Sequence, residues 1–169
     1  RVDYVLPLGE NSQFEAGYLG NFNDLNTTFN VNSLNTNTGE LEQNNMFLND
    51  LEYKEKVHAL YTQYGNKVDK FSYMLGLRWE SSEIDVNQLT TSDFNNKKYN
   101  NFFPSAFLSY EFTEGENVSV SYSRRVRRPR GRMLNPISNY SSSINFFQGN
   151  PDLDPAFTNA FDIGYMKRI

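Results

Sequence analysis

Six arginines, Arg124, Arg125, Arg127, Arg128, Arg130 and Arg132, fall within nine residues. Guanidinium groups at that density suit phosphate and carboxylate, which they grip through paired N–H donors. Nucleic acid is the first ligand class such a run suggests. The chain as a whole argues against a general nucleic-acid binder, because 20 acidic side chains outnumber 16 basic ones and the isoelectric point is near 5.0. Three aromatics, Tyr140, Phe146 and Phe147, follow the arginines. They could stack on a sugar or another flat ligand, or pack inside their own segment. Candidate contacts are therefore Arg125, Arg127, Arg130, Tyr140, Phe146 and Phe147.

The remaining chemistry is sparse. Cysteine is absent and His58 is the single histidine, so thiolate sites, disulfides and two-histidine metal sites cannot be built from this chain alone. His58, with Glu52, Glu55 and Tyr61 nearby, is expected at a polar interior position rather than as a catalytic base. Asp152 and Asp154 either ligate calcium or cap their Pro-bounded turn, and capping is the commoner use. No phosphate loop, nucleophile elbow or recognisable pair of catalytic carboxylates is present. No enzyme activity, cofactor or metal site is expected.

The elements that must position these residues have a period of two. Phe71, Tyr73, Leu75, Leu77 and Trp79 alternate with Ser72, Met74, Gly76, Arg78 and Glu80, which predicts a strand with one apolar and one mostly small or polar face. Val118–Tyr122 and Phe157–Tyr165 alternate likewise, as do Phe14–Phe22 and Ser105–Phe112, and residues 1–6 read as strand. Residues 57–64 keep no clean parity. Residues 41–60 have helix-like composition without helical spacing. Short Gly- and Asn-bearing turns are expected at 9–12, 65–69 and 113–117, and long polar loops at 24–50, 85–101 and 126–154. About seven strands thus form an antiparallel meander, with tight turns at one end and long loops at the other.

No run approaches the roughly 18 apolar residues a membrane-spanning helix needs. The fold class is all-β. Aromatics make up 15% of the chain, and the Phe and Tyr that supply most of them dominate the apolar faces, as lipid contact demands of an outer-membrane barrel. A soluble β-sandwich binding carbohydrate, or a complete small barrel serving as structural element, adhesin or lipid-active enzyme, are the alternatives. In a barrel the arginine run extends its strand to the rim, where alternate side chains reach the lumen, a ligand, or lipopolysaccharide phosphate.

From Val118 onward the sequence carries Tyr122-Ser123-Arg124-Arg125-Val126, Arg128-Pro129, Leu134-Asn135-Pro136, Gly149-Asn150-Pro151-Asp152-Leu153-Asp154-Pro155 and Asp162-Ile163-Gly164-Tyr165. This resembles the barrel of TonB-dependent receptors, most closely the Bacteroidetes-type outer-membrane barrel family. Weaker echoes lie upstream in residues 3–9, 76–80 and 103–105. Ala156 and Asp162 stand where many relatives carry Glu. The GNPxLxP element is expected to return a long surface loop to a strand.

The resemblance implies a 22-stranded barrel with an N-terminal plug, in the outer membrane of a Gram-negative bacterium, importing a scarce nutrient with energy passed through TonB. Residues 1–169 then form a partial barrel without the plug. The implied partners are lipid including lipopolysaccharide, the rest of the barrel with its plug, TonB through that plug, and a surface lipoprotein; nucleic acid is not among them.

Overall fold

The computed structural model describes residues 1–137, 139–140 and 146–168, with the side chains of Met46, Asn139, Tyr140 and Phe146 outside that description. The strands are β1 (Val2–Pro7), β2 (Ser12–Phe29), β3 (Asn32–Leu34), β4 (Leu41–Gln43), β5 (Asn49–Val68), β6 (Phe71–Gln88), β7 (Asp93–Thr113), β8 (Glu116–Arg127), β9 (Asn139–Tyr140), β10 (Phe146–Phe147) and β11 (Ala156–Lys167). One helical turn, α1 (Gly131–Leu134), follows β8. Seven strands form one antiparallel sheet in the order β1-β2-β5-β6-β7-β8-β11. Two small hairpins, β3–β4 and β9–β10, sit in its connections. The seven-stranded sheet is open and has no second large sheet packed against it among the described residues, unlike a sandwich.

Register fixes the two faces. Tyr4↔Ala16, Tyr18↔Leu60, Leu60↔Trp79 and Trp79↔Phe102 are directly opposite, so the aromatic parities of five strands share one face. Val120 and Ile163 extend that face across β8 and β11. Many of its apolar side chains are exposed, including Leu75, Leu77, Phe102, Phe161 and Ile163. The other face carries Gly76, Ser105, Ser123, Arg78 and Glu80. His58 belongs to the apolar face, not to the polar interior expected for it, because it shares parity with Leu60. Its Nδ1 is 2.7 Å from the Tyr18 hydroxyl, and its ring meets the Phe22 ring edge-on at 5.3 Å.

The tight turns lie at one end, as expected, but 65–68 are strand rather than turn: β5 runs to Val68, and Asp69-Lys70 alone make the reversal, with Asp69 at φ 51°. Gly9 and Gly115 adopt φ of 89° and 84°, the left-handed backbone that glycine reaches without steric cost. At the other end the expected loops are largely strand. β6 and β7 continue through 85–101 in unbroken register, from Asp85↔Asn96 to Gln88↔Asp93, and only residues 89–92 form the tip. Between 24 and 50, β2 runs on to Phe29 and β5 begins at Asn49, with the β3–β4 hairpin inset. Asn, Lys and Asp occupy these extensions because their outer face meets water rather than lipid. Lys98 pairs with Glu83 there at 2.9 Å, raising the ammonium pKa and lowering that of the carboxyl.

Strands β5, β6 and β7 hold 20, 18 and 21 residues, about twice the 9–11 of a tilted membrane-spanning strand. Phe71–Trp79 fills that span, and residues 80–88 rise above it. The core lies on the inner face of this upper half: Leu51, Tyr53, Ile84 and Val86 are buried with Leu134. Val57 and Ala59 are also buried on that face, which explains the mixed parity of 57–64. Residues 41–60 form β4, a 3-10 turn and half of β5 rather than a helix.

Candidate functional site

The described parts of the long connection from β8 to β11, 128–137 and 147–155, fold inward over the core. Arg128-Pro129 ends β8, since proline cannot donate to the ladder. The Arg128 Nη2 donates to Glu80 Oε2 and to Ser82 Oγ, the latter at 2.8 Å, and its Nε lies 3.9 Å from Glu55. Glu80 Oε1 accepts from Arg78 Nε at 2.6 Å. Both Glu80 and Ser82 are buried, so the carboxylate is enclosed between two guanidinium groups. Removing one partner of such a buried pair costs about 3–5 kcal/mol.

Beyond this anchor, α1 inserts Leu134 between Leu51, Tyr53, Ile84 and Val86. Asn135 Oδ1 accepts from Gln88 Nε2 at 3.1 Å and from the Ile137 amide at 3.0 Å. Gln88 Nε2 also donates to Asn49 Oδ1 at 2.9 Å, so three buried amides satisfy one another. The chain then returns alongside itself: Gly149 N donates to Asn135 O at 2.8 Å and Asn150 N to Met133 O at 2.7 Å. A Cβ at Gly149 would stand 2.5 Å from Met133 O, so only glycine permits this approach. Asn150 Oδ1 accepts from Asp152 N at 2.9 Å, closing an Asx turn after which Leu153 packs on the core. Pro151 O accepts from Asn95 Nδ2 at 3.4 Å. Asp154 Oδ1 accepts from Lys97 Nζ and the Tyr99 hydroxyl at 3.0 and 3.1 Å. These donors hold the Asp154 carboxyl below its ordinary pKa, while burial first, then Asp154, pushes Tyr99 up to about 12. Pro155 precedes the first residue of β11.

The motif residues therefore share one task. Arg128, Pro129, Asn135, Pro136, Gly149, Asn150, Pro151 and Pro155 define an inward-folded strap, with Pro136 O accepting from Gln148 Nε2 at 2.7 Å. Sequence reading missed the strap's receptors, Glu55, Glu80, Ser82, Gln88 and Asn49. Their alternation was visible, but their partners lie 39 to 73 residues away along the chain.

The candidate contacts divide. Arg125 and Arg127 continue the parity of Ser119, Ser121 and Ser123, which faces inward, and both are exposed. Arg130 is exposed beside α1. The Arg132 guanidinium lies over the Phe147 ring at 4.7 Å. Tyr140 and Phe146 pair by backbone in β9–β10, and their side chains lie outside the described residues. Arg124 is different: it sits over the Phe157 ring at 5.1 Å, with a buried Nε that has no hydrogen-bond partner among the described residues. Phe157 in turn stacks on Phe103 of the inner face at 6.4 Å, so the end of the β8–β11 pair leans inward over β7.

Several cavities open on this face, and two of them adjoin the clustered arginines or the lower wall. One of about 420 Å³ lies under the strap, between Asn23, Leu25, Tyr53 and Glu55 below and residues 128–132 above. Burial raises the Tyr53 hydroxyl pKa to about 12, with Glu55 adding to the shift. The other, of about 280 Å³, lies lower, against Arg1, Tyr61, Gln63, Arg78, Phe103 and Ser105. Among the described residues no group of three His, Asp or Glu side chains could hold a metal ion, and no helix is long and apolar enough to cross a membrane.

An apolar outer face, a polar inner face and alternating turns and long connections fit a wall in lipid. The model of the outer membrane protein beta-barrel family matches residues 1–169. The chain belongs to that family. This all-β chain is accordingly outer-membrane barrel wall, with its short turns expected at the periplasmic end and the strap at the outer mouth. None of the curated proteins matches it.

Proposed function

We propose that the chain is wall and loop of a TonB-dependent receptor that imports a nutrient across the outer membrane of a Gram-negative bacterium. The observation that carries this reading is the strap: the residues resembling the receptor motif are the ones that fold 128–137 and 147–155 inward over the barrel wall. A connection folded inward narrows the mouth and presents side chains to a passing solute. A plug carried elsewhere in the protein would fill the lumen against the polar face and contact TonB. The outer face meets lipid and, at its upper edge, lipopolysaccharide. A surface lipoprotein would close the mouth from outside. The chain supplies no catalytic group in this scheme.

The test is growth of a strain lacking the full-length gene, on single sources of chelated iron, glycan, peptide and vitamin, beside a strain lacking TonB. Loss of growth on one source in both strains, restored by the intact gene, supports import. Growth of the gene-deletion strain on every source that the TonB-deficient strain cannot use refutes it.

A further inference from the structure

Four clustered arginines are left over once the strap is anchored. Arg125, Arg127, Arg130 and Arg132 are exposed and form no ion pair among the described residues. The carboxylates near them are already engaged: Glu80 by Arg78 and Arg128, Glu55 by Arg128, and Asp154 by Lys97. In an acidic chain this leaves a local surplus of positive charge at the mouth. Arg130 and Arg132 line the 420 Å³ cavity, whose opposite wall includes Leu25 and the buried Tyr53 ring. That volume lies in the range of small-molecule sites. The Phe147 ring, 4.7 Å from the Arg132 guanidinium, holds it by a cation–π contact that uses none of its N–H donors.

We propose that this cavity binds a soluble anion, a carboxylate, phosphate or sulfate group carried on a flat or apolar body. Arg130 and Arg132 hold the charge, Leu25 and Tyr53 hold the body, and Arg125 and Arg127 draw the anion toward the mouth. The inner-face position favours a solute over a lipid headgroup, because Asn23, Leu25, Tyr53 and Glu55 all share the parity opposite to the lipid face. That the anion is the imported cargo rests on the receptor reading above; the binding itself does not.

The full-length protein in phosphatidylcholine nanodiscs would be titrated with pyrene-1,3,6,8-tetrasulfonate, read by fluorescence anisotropy. The expected result is saturable binding that weakens by about tenfold or more in R130Q/R132Q. Binding should persist in R130K/R132K and in R168Q, which lies at the opposite end. In the wild-type protein it should fall as salt rises from about 50 to 500 mM, a measurement that needs no variant. Equal affinity in R130Q/R132Q, salt-independent binding, or equal binding of uncharged pyrenemethanol would overturn the proposal. Lipid A added to the nanodiscs should leave the affinity unchanged; competition would assign the arginines to headgroups and overturn the soluble-anion site. If import fails the TonB test while the probe still binds, the site stands on a non-transporting barrel; if import continues while probe binding is absent, only the anion site falls.

Discussion

Replacing Arg128 with Gln should release the strap while leaving the barrel wall intact. Arg128 donates to the buried Glu80 and Ser82, and it is the strap's first attachment after β8. Removing one member of a buried charged pair costs about 3–5 kcal/mol. Arg78 remains on the other Glu80 oxygen at 2.6 Å, so the carboxylate is not stranded and the lower figure, about 3 kcal/mol, applies. At about 1.4 kcal/mol per factor of ten, the docking equilibrium falls by about 100-fold. Amide hydrogen exchange on the full-length protein in detergent reads this directly. The Gly149 and Asn150 amides, which donate to Asn135 O and Met133 O, should lose about two decades of protection. The amides of Leu75 and Val120, in the membrane-spanning ladder, should keep theirs. Unchanged exchange at 149–150 would refute the anchor, and uniform loss along the whole chain would mean that Arg128 supports the wall rather than the strap.

Leu134→Ala removes the apolar plug between Leu51, Tyr53, Ile84 and Val86 and should cost about 2–5 kcal/mol, seen as faster proteolysis within residues 128–155. Gly149→Ala sets a Cβ against Met133 O and should give the same proteolytic phenotype although no polar group is lost. Docking of residues 151–154 should depend on pH at both extremes, measured by exchange at Leu153. The Asp154 carboxyl has a lowered folded pKa, so its contribution is complete above the ordinary value near 3.9 and is lost as pH falls through the lowered one. Tyr99 has a raised folded pKa, so its contribution is complete below about 10 and is lost as pH rises toward about 12. Exchange at Leu153 that stays flat across both windows would contradict these assignments.

The period-two pattern makes the membrane-spanning half legible, because lipid on one side and a polar interior on the other impose opposite side chains at nearly every step from Phe71 to Trp79, Met74 being the exception. The upper half reads as loop in the sequence for a physical reason. Above the lipid, Lys98, Asn96, Glu83 and Asp85 face water, so the outer parity loses the apolar residues that mark a strand, while the ladder continues beneath them. The polar side chain of His58 suggests an interior, whereas parity with Leu60 puts it beside Tyr18 and Phe22. The motif from Arg128 to Pro155 was recognisable as a unit. Its role was not, because Glu80 and Gln88 are joined to it only by folding.

Spin labels introduced singly at Leu75, Val120, Gly76 and Ser121 of the full-length protein in bilayers test the assignment of the two faces most directly. Labels at Leu75 and Val120 should be relaxed by oxygen dissolved in lipid and shielded from a water-soluble nickel chelate. Labels at Gly76 and Ser121, one residue along each strand, should show low oxygen accessibility and report water or protein. The reverse pattern, or equal access to the chelate at all four positions, would contradict a wall that faces lipid on one side and the barrel interior on the other.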